Sequence, residues 1–453
     1  MKRKDTTKRL TEGRPMSLII GFSLPLLVGM LFQQLYSLVD TIIVGKCIGT
    51  EALAAVGSTG SINFLINGFC MGVCAGFAIP MAQRFGAEDE KGLRRFVANA
   101  LWLSVIFAVV MTFFVVIYCH KILELMQTPD NIIEDAYIYI VIIFAGIPVT
   151  YLYNMTAGAI RALGDSKTPV YFLLMASVIN IALDLLLIVG LGYGVEGAGF
   201  ATVFSQGLSG LACLIYMHKK FPIIKLTRDD LKPRWYYISM LCGNGLPMGL
   251  QYSITAIGSV ILQTAINALG SDVVAAVTAS NKLSMFIVCP FDALGSTMAT
   301  YAGQNVGAMK LKRLKEGLKA SSILGFAYSI IAFIFLFFFG KYLLLLFLDS
   351  GEIEIIKIAT SFLLIQAAFY FPLSLVNIVR FEIQGMGYSG FAVIAGVCEM
   401  IARAAVAFTL VPMLGYKGAA YASPLAWIMA DAFLIPAFFY TYKRLNRKFK
   451  AAE

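Results

Sequence analysis

Residues 16–46 read MSLIIGFSLPLLVGMLFQQLYSLVDTIIVGK, an apolar run interrupted by Pro25 and carrying one acid, Asp40. At about 1.5 Å per residue a helix of this length reaches roughly 46 Å, more than a bilayer core of about 30 Å, so it must tilt, bend or protrude. Pro25 supplies the bend, because it removes one backbone hydrogen bond and crowds the preceding turn. Gln33, Tyr36, Ser37 and Asp40 then fall at i, i+3, i+4 and i+7, one polar stripe on a helix of membrane length. Such a stripe cannot face lipid.

The rest of the chain has the same character. Its 453 residues are 59% hydrophobic and 14% charged, with a mean hydropathy of +0.79. A soluble domain cannot hide that much apolar surface, which makes the chain a polytopic membrane protein. The formal net charge of +10 is not a nucleic-acid footprint, since the basic residues punctuate apolar runs and gather on no periodic face. No cleavable signal is expected, because the first apolar run is long and follows the basic leader MKRKDTTKRLTEGR. Eight cysteines are scattered without a CxxC and read as small core hydrophobes. A bridge between Cys47 and Cys119, near predicted outer ends, is the one pairing that position allows. With only His120 and His218, a histidine-based metal site is excluded.

Hydropathy places twelve spans at 16–46, 52–80, 96–118, 132–156, 168–191, 197–217, 236–266, 273–301, 318–348, 354–378, 390–413 and 418–441. Of the 36 Lys and Arg, 29 fall in the termini and even-numbered loops. Five fall in odd-numbered loops or in the span ends beside them (Lys46, Lys121, Lys341, Lys357, Lys417), Lys319 of the 29 likewise sits just inside a span end, and Lys282 and Arg403 lie deeper inside spans. The bias puts both termini in the cytoplasm of a cytoplasmic-membrane protein.

The longest polar connection, HKKFPIIKLTRDDLKPRW at 218–235, divides the chain into a six-helix amino lobe (1–217) and a six-helix carboxy lobe (236–453). The halves repeat. Ala54-Ala55-Val56, Gln83 and Gly86-Ala87 align with Ala275-Ala276-Val277, Gln304 and Gly307-Ala308 at an offset of 221, and Asn154 with IRALGDS aligns with Asn377 with IQGMGYS at 223. Six spans per half is an even number, so both lobes enter the membrane the same way, related by pseudo-two-fold symmetry along the membrane normal. The expected fold class is therefore an all-α integral membrane protein of twelve helices in two bundles, which is transporter architecture.

Asp184 sits in the fifth span, on the order of 10 Å from its outer end, and Asp40 about 9 Å from the end at Lys46, so the two acids share a depth. Ser177, Asn180 and Asp184 form a second polar stripe, which Asn154 and Thr202 from the fourth and sixth spans would complete. A carboxylate in hydrocarbon costs a few kcal/mol and two repel, so one is expected to hold a proton near neutral pH, the chemistry of a proton carrier. Two acids with amide and hydroxyl oxygens would equally make a nest for Na⁺. The bland alternative, carboxylates that merely tie helices together, is disfavoured because amides do that at lower desolvation cost.

The second half differs. Its polar residues are Gln251, Lys282, Glu399 with Arg403 at i, i+4, and Asp431. Glu399 and Arg403 read most simply as an intrahelical ion pair. At the repeat offset Arg403 takes the place of Asn180, Asp40 aligns near Leu262 and Asp184 near Ala407, which confines the acid pair to one lobe.

The proline-interrupted first helix with QQLYSLVDTIIVGKCIGTEALAAVG, the IRALGDSKTP turn, NIALDLLLI and GYGVEGAGFAT, in this order and repeated, resemble the multidrug and toxic compound extrusion (MATE) family along nearly the whole chain. The resemblance implies an antiporter, with no cofactor beyond the transported ion, that expels amphipathic and often cationic small molecules while H⁺ or Na⁺ enters. In that family pattern Asp40 and Asp184 match the coupling acids, Tyr36, Asn154, Asn180 and Thr202 the surrounding network, and Pro25 the bend. Branches with a carboxy-lobe Na⁺ site use acids on spans seven and ten; here span seven offers Gln251, and Glu382 lies at the cytoplasmic end of span ten. A monomer is expected, and the H⁺ route is favoured over Na⁺.

Two other readings compete. A flippase for lipid-linked precursors needs cavity-lining basic residues, for which Lys282 and Arg403 are thin candidates. An intramembrane aspartyl protease needs GxGD, whose nearest approach, Ala162-Leu163-Gly164-Asp165, has Ala in place of Gly and lies in a turn. The chain is therefore not read as an enzyme.

Overall fold

The computed structural model describes residues 9–126 and 128–451, so the basic leader positions 1–8 lie outside the described residues. The described residues are nearly all helical: α1 Pro15–Ile43, α2 Thr50–Ser58, α3 Gly60–Gly86, α4 Glu90–Leu125, α5 Ile133–Ala145, α6 Ile147–Ala162, α7 Lys167–Asp184, α8 Val195–Lys220, α9 Trp235–Asn267, α10 Ser271–Gly307, α11 Lys312–Leu344, α12 Ile353–Ala367, α13 Tyr370–Gly385, α14 Gly390–Phe408, α15 Leu410–Leu414 and α16 Tyr416–Lys450. Among the described residues ten helices are long and apolar enough to cross a membrane, and taking each of the bent pairs α5–α6 (44°) and α12–α13 (49°) as one span brings the count to twelve. The all-α, twelve-span membrane fold stands, with six spans per half. The sharp breaks lie in spans four and ten, whereas α1 runs through Pro25 without interruption.

The helix boundaries have local causes. Asp89 caps α4 by accepting the Gly92 amide at 2.8 Å, which satisfies a donor left free in the first turn. Asp165 accepts the amides of Lys167 and Thr168, each at 3.0 Å, and the Thr168 hydroxyl at 2.7 Å. It caps α7 in the same way. Gly164 closes the preceding helix at φ +87°, a conformation open to glycine at no steric cost. Its repeat partner Gly387 has the same φ, and Glu88 and Met309 share φ 57°. The halves thus repeat in backbone conformation as well as sequence.

The helices fall into two compact units, one comprising residues 24–249 with the leader residue Arg9, the other residues 10–23 and 250–453. In the first, α6 packs on α3, α4 and α8, and α7 on α8; in the second, α13 packs on α10, α11 and α16, and α14 on α16. Each core is aliphatic and aromatic, with Phe77, Phe96, Phe144 and Tyr151 fully buried in one and Phe291, Tyr370 and Phe438 in the other.

Packing draws the division at 249/250, inside α9, although the covalent midpoint is the 218–235 connection. That connection is held to α4: Trp102 Nε1 donates to the Leu231 carbonyl at 2.9 Å, the Arg234 amide donates to Asn99 at 3.1 Å, and Arg94 and Arg95 pair with Asp230 and Asp229. Leader residue Leu10 is fully buried against the turn after α10, its amide bonded to Gln304 and its carbonyl to Asn305 and Arg313. All eight cysteines are free; Cys47 is exposed and Cys119 buried, so the Cys47–Cys119 pairing is not formed.

Candidate functional site

In the first unit Asp40 on α1 and Asp184 on α7 lie near enough for their charges to interact, and Oδ1 of Asp40 and both carboxyl oxygens of Asp184 are buried without a hydrogen-bond partner. Asp184 is fully buried and Asp40 half-buried. Both sit at places where the helix widens. A π-helical turn, Val44–Ile48, follows α1 four residues beyond Asp40, another, Leu185–Gly190, begins directly after Asp184, and the two turns touch. Wide turns of this kind recur at functional positions, because they redirect side chains and leave carbonyls loosely held.

Around the pair, Tyr36 neighbours Gln33 and Gln206, and Tyr36 and Tyr139 lie near Asp40. Thr150 Oγ1 donates to Gln206 Oε1 at 3.3 Å. The α7 stripe is buried as its spacing predicts: Ser177 at 6% exposure, with its hydroxyl bonded to the Leu173 carbonyl at 2.9 Å, and Asn180 at 1%, with no partner for either amide atom. The Thr202 hydroxyl is also buried and unpartnered. Asn154 does not complete the cluster through its amide, which donates to the Thr150 carbonyl one turn back at 2.9 Å. Gln206 and Tyr139 are members that hydropathy does not single out, and the i, i+4 spacing of Thr202 and Gln206 on an apolar helix is the signal that points to Gln206.

The second unit corrects several expectations. Arg380, placed by hydropathy in a cytoplasmic loop, is 5% exposed within α13 and ion-paired to Glu399. Glu399 also accepts from Arg403 at 3.3 Å, so the intrahelical pair is a three-membered cluster across α13 and α14. Glu382 lies in the last turn of α13, as expected, and is fully buried, whereas Lys282, expected inside, is exposed on α10. Gln251 accepts from Gln384 Nε2 at 2.7 Å. Asp431 is buried, with Oδ1 unpartnered. A further acid, Asp292, which the spacing arguments miss, lies on α10 with Asn377 Nδ2 donating to it at 3.1 Å.

The arrangement places buried ionisable groups within long apolar helices of both halves. The chain is similar to two proteins of Bacillus subtilis strain 168. "Probable multidrug resistance protein YoeA" is 32% identical over 75% of this chain and 74% of its own. "Probable multidrug resistance protein YpnP" is 30% identical over 82% of each. Among solved structures, an "outward-facing conformation of a multidrug resistance MATE family transporter of the MOP superfamily" superposes with a TM-score of 0.89 at 24% identity, over 97% of this chain and 98% of that one. The MatE family profile matches residues 25–186 and again 247–409, the two halves of the internal repeat. The chain belongs to the MatE family of multi-pass membrane transporters.

Proposed function

We propose that this transporter is a cation-coupled antiporter, driven by H⁺ in preference to Na⁺, that exports amphipathic and often cationic compounds by alternating access. The observation that carries the reading is that Asp40 and Asp184 bring buried, unpartnered carboxyl oxygens close to one another. A carboxylate only accepts hydrogen bonds, so a bond between two carboxyls exists only while one holds a proton. Two like charges in close proximity repel by about 4 kcal/mol at an effective dielectric of about 20, so the doubly ionised pair is the disfavoured state. One proton binds, the pair closes and α1 is drawn to α7; its loss drives the acids apart. That equilibrium is the two-state element a coupling ion must bias. The multidrug names of the relatives support an exported drug-like substrate. The protein acts as a monomer in the cytoplasmic membrane with both termini in the cytoplasm.

Everted membrane vesicles supplied with a fluorescent cationic dye test this under an imposed pH gradient, with and without Na⁺. Dye accumulation should follow the pH gradient and vanish in Asp40→Asn and Asp184→Asn proteins that still insert. Normal transport by both variants would remove the coupling assignment, and transport that follows only the Na⁺ gradient would replace H⁺ by Na⁺.

A further inference from the structure

A groove of about 800 Å³ opens between the end of α11 and the start of α12, within the second unit, and none of its lining residues belongs to the ionisable clusters described above. Pockets that hold small amphiphiles span about 300–1,000 Å³, so this one has room for a ligand. Its α12 wall is a single helical face, on which Ile353, Ile356, Lys357, Thr360, Leu364 and Ile365 follow one another at helical spacing. Leu364 and Ile365 lie roughly 10–12 Å further along the axis than Lys357. The groove therefore has a charged mouth near the helix ends and an apolar floor that runs on along a membrane-spanning segment.

The mouth is basic. Lys341 in the last turn of α11 and Lys357 one turn into α12 both line it, with Tyr342 and the hydroxyl residues Ser350 and Ser361 beside them, and no acid is among the described lining residues. Thr360 is engaged with the Ile356 carbonyl at 2.7 Å. Lys357 has Glu354 at 3.9 Å, but their side chains are 74% and 79% exposed. A pair that open to solvent contributes about 0–1 kcal/mol, so it yields readily to a better anion. These two lysines are also ones that the general charge bias leaves unexplained. Basic residues gather in the termini and even-numbered loops; Lys341 and Lys357 are two of the five that do not, and both fall on this one groove.

Charge decides the occupant. Two ammonium groups at the mouth repel a cationic amphiphile, the class proposed for export, and attract an anionic one. Basic pockets between membrane helices suit the phosphate of a lipid headgroup, and a floor of isoleucine and leucine suits an acyl chain. We infer that the groove between α11 and α12 is a binding site for an anionic phospholipid, its phosphate held by Lys341 and Lys357 and one acyl chain laid along Ile356, Leu364 and Ile365. The seated lipid ties α12, the first half of the bent α12–α13 span, to α11. With both termini in the cytoplasm, as proposed above, the lipid comes from the outer leaflet; the site itself depends neither on that orientation nor on the transport reading.

Native mass spectrometry of the purified full chain, released from detergent and titrated with phosphatidylglycerol or with zwitterionic phosphatidylcholine of the same chains, tests the site. The tightest-bound phosphatidylglycerol should bind about tenfold or more tighter than phosphatidylcholine, and Lys341→Gln/Lys357→Gln should remove that preference. Lys121→Gln/Lys417→Gln, which removes two other basic residues of the odd-numbered loops, neither of them lining the groove, should leave it unchanged. Leu364→Trp, which fills the apolar floor and keeps both charges, should weaken phosphatidylglycerol binding as much as the lysine changes do. Equal affinity for the two lipids in the parent protein, an unaltered preference in Lys341→Gln/Lys357→Gln, or an equal loss in Lys121→Gln/Lys417→Gln would each overturn the proposal. Displacement of the lipid by glycerol phosphate would mark a site for a soluble anion, and displacement by a lipophilic phosphonium a site for the exported compound; either would overturn it as well.

Discussion

Gly76 and Gly245 meet backbone to backbone: a Cβ built on Gly76 would stand 2.5 Å from the Gly245 Cα and 2.6 Å from the Asn244 carbonyl oxygen. One α-helical turn away, a Cβ on Gly72 would lie 2.6 Å from the Met248 carbonyl. Small residues four apart on both helices let α3 and α9 approach this closely, as at other membrane-helix crossings. Backbone atoms cannot rotate aside, so Gly76→Ala must push α9 away, at a cost of about 1–3 kcal/mol. Gly57, on α2 with open space around it, is the control, where alanine should be neutral or stabilising by up to about 1 kcal/mol. Thermal unfolding in detergent reads both, and an unchanged midpoint for Gly76→Ala would refute the contact.

The Gln384–Gln251 bond at 2.7 Å joins α13 to α9 where both amides are buried. Removing one partner strands the other, so Gln251→Ala should destabilise by about 1–3 kcal/mol. Replacing both by leucine removes donor and acceptor together and should cost markedly less than the single change. A double-mutant cycle on the unfolding midpoint measures the difference; a double variant as damaged as the sum of its singles would show that the two side chains are independent.

What the sequence exposes and what it hides have the same cause. Asp40 and Asp184 are legible because an acid within an unbroken apolar run is costly and therefore conspicuous. Hydropathy ends the tenth span at 378 because Arg380, Glu382 and Gln384 interrupt the apolar run, yet α13 continues to Gly385 with these groups buried among neighbours distant in sequence. Glu399, the partner that hides Arg380, is 19 residues away, and Asn377, the partner of Asp292, is 85 away. No periodicity within one helix reports such pairings. Proline alone does not mark a break: Pro148 and Pro372 lie just beyond the two sharp breaks, whereas Pro25, Pro80 and Pro290 lie inside helices that continue through them.

Outside the membrane, Asp230 anchors the 218–235 connection to α4. Burial alone would raise its carboxyl. Acceptance from the Thr227 hydroxyl at 2.7 Å and amide at 3.1 Å, with the charge of Arg94, outweighs that and holds it below the ordinary carboxylate value. A carboxyl depressed by folding stabilises the folded form above its unfolded value of about 3.9 and loses that contribution as pH falls through its lower, folded value. The connection should therefore stay docked from neutral pH down to about 4 and loosen only in stronger acid. Asp230→Asn should loosen it already at neutral pH, read as faster tryptic cleavage at Lys225 and Arg228. Equal cleavage rates for the two proteins at neutral pH would show that the ion pair does not anchor the segment.

If Asp40 and Asp184 share one proton, they act as a unit, and their substitutions cannot add. Asp40→Asn leaves Asp184 with a neutral amide in place of its acid partner; Asp184→Asn does the converse; each removes the alternation between a proton-bridged and an ionised pair. The double variant should then be no slower in pH-driven transport than either single one, and substrate binding in all three should lose the part of its pH dependence that belongs to the pair. Independent carboxylates, each carrying its own ion, would give losses that multiply. Initial rates of dye transport in vesicles across an imposed pH gradient separate the cases: a double variant slower than both singles by the product of their effects would mean two separate ion sites in place of one shared proton.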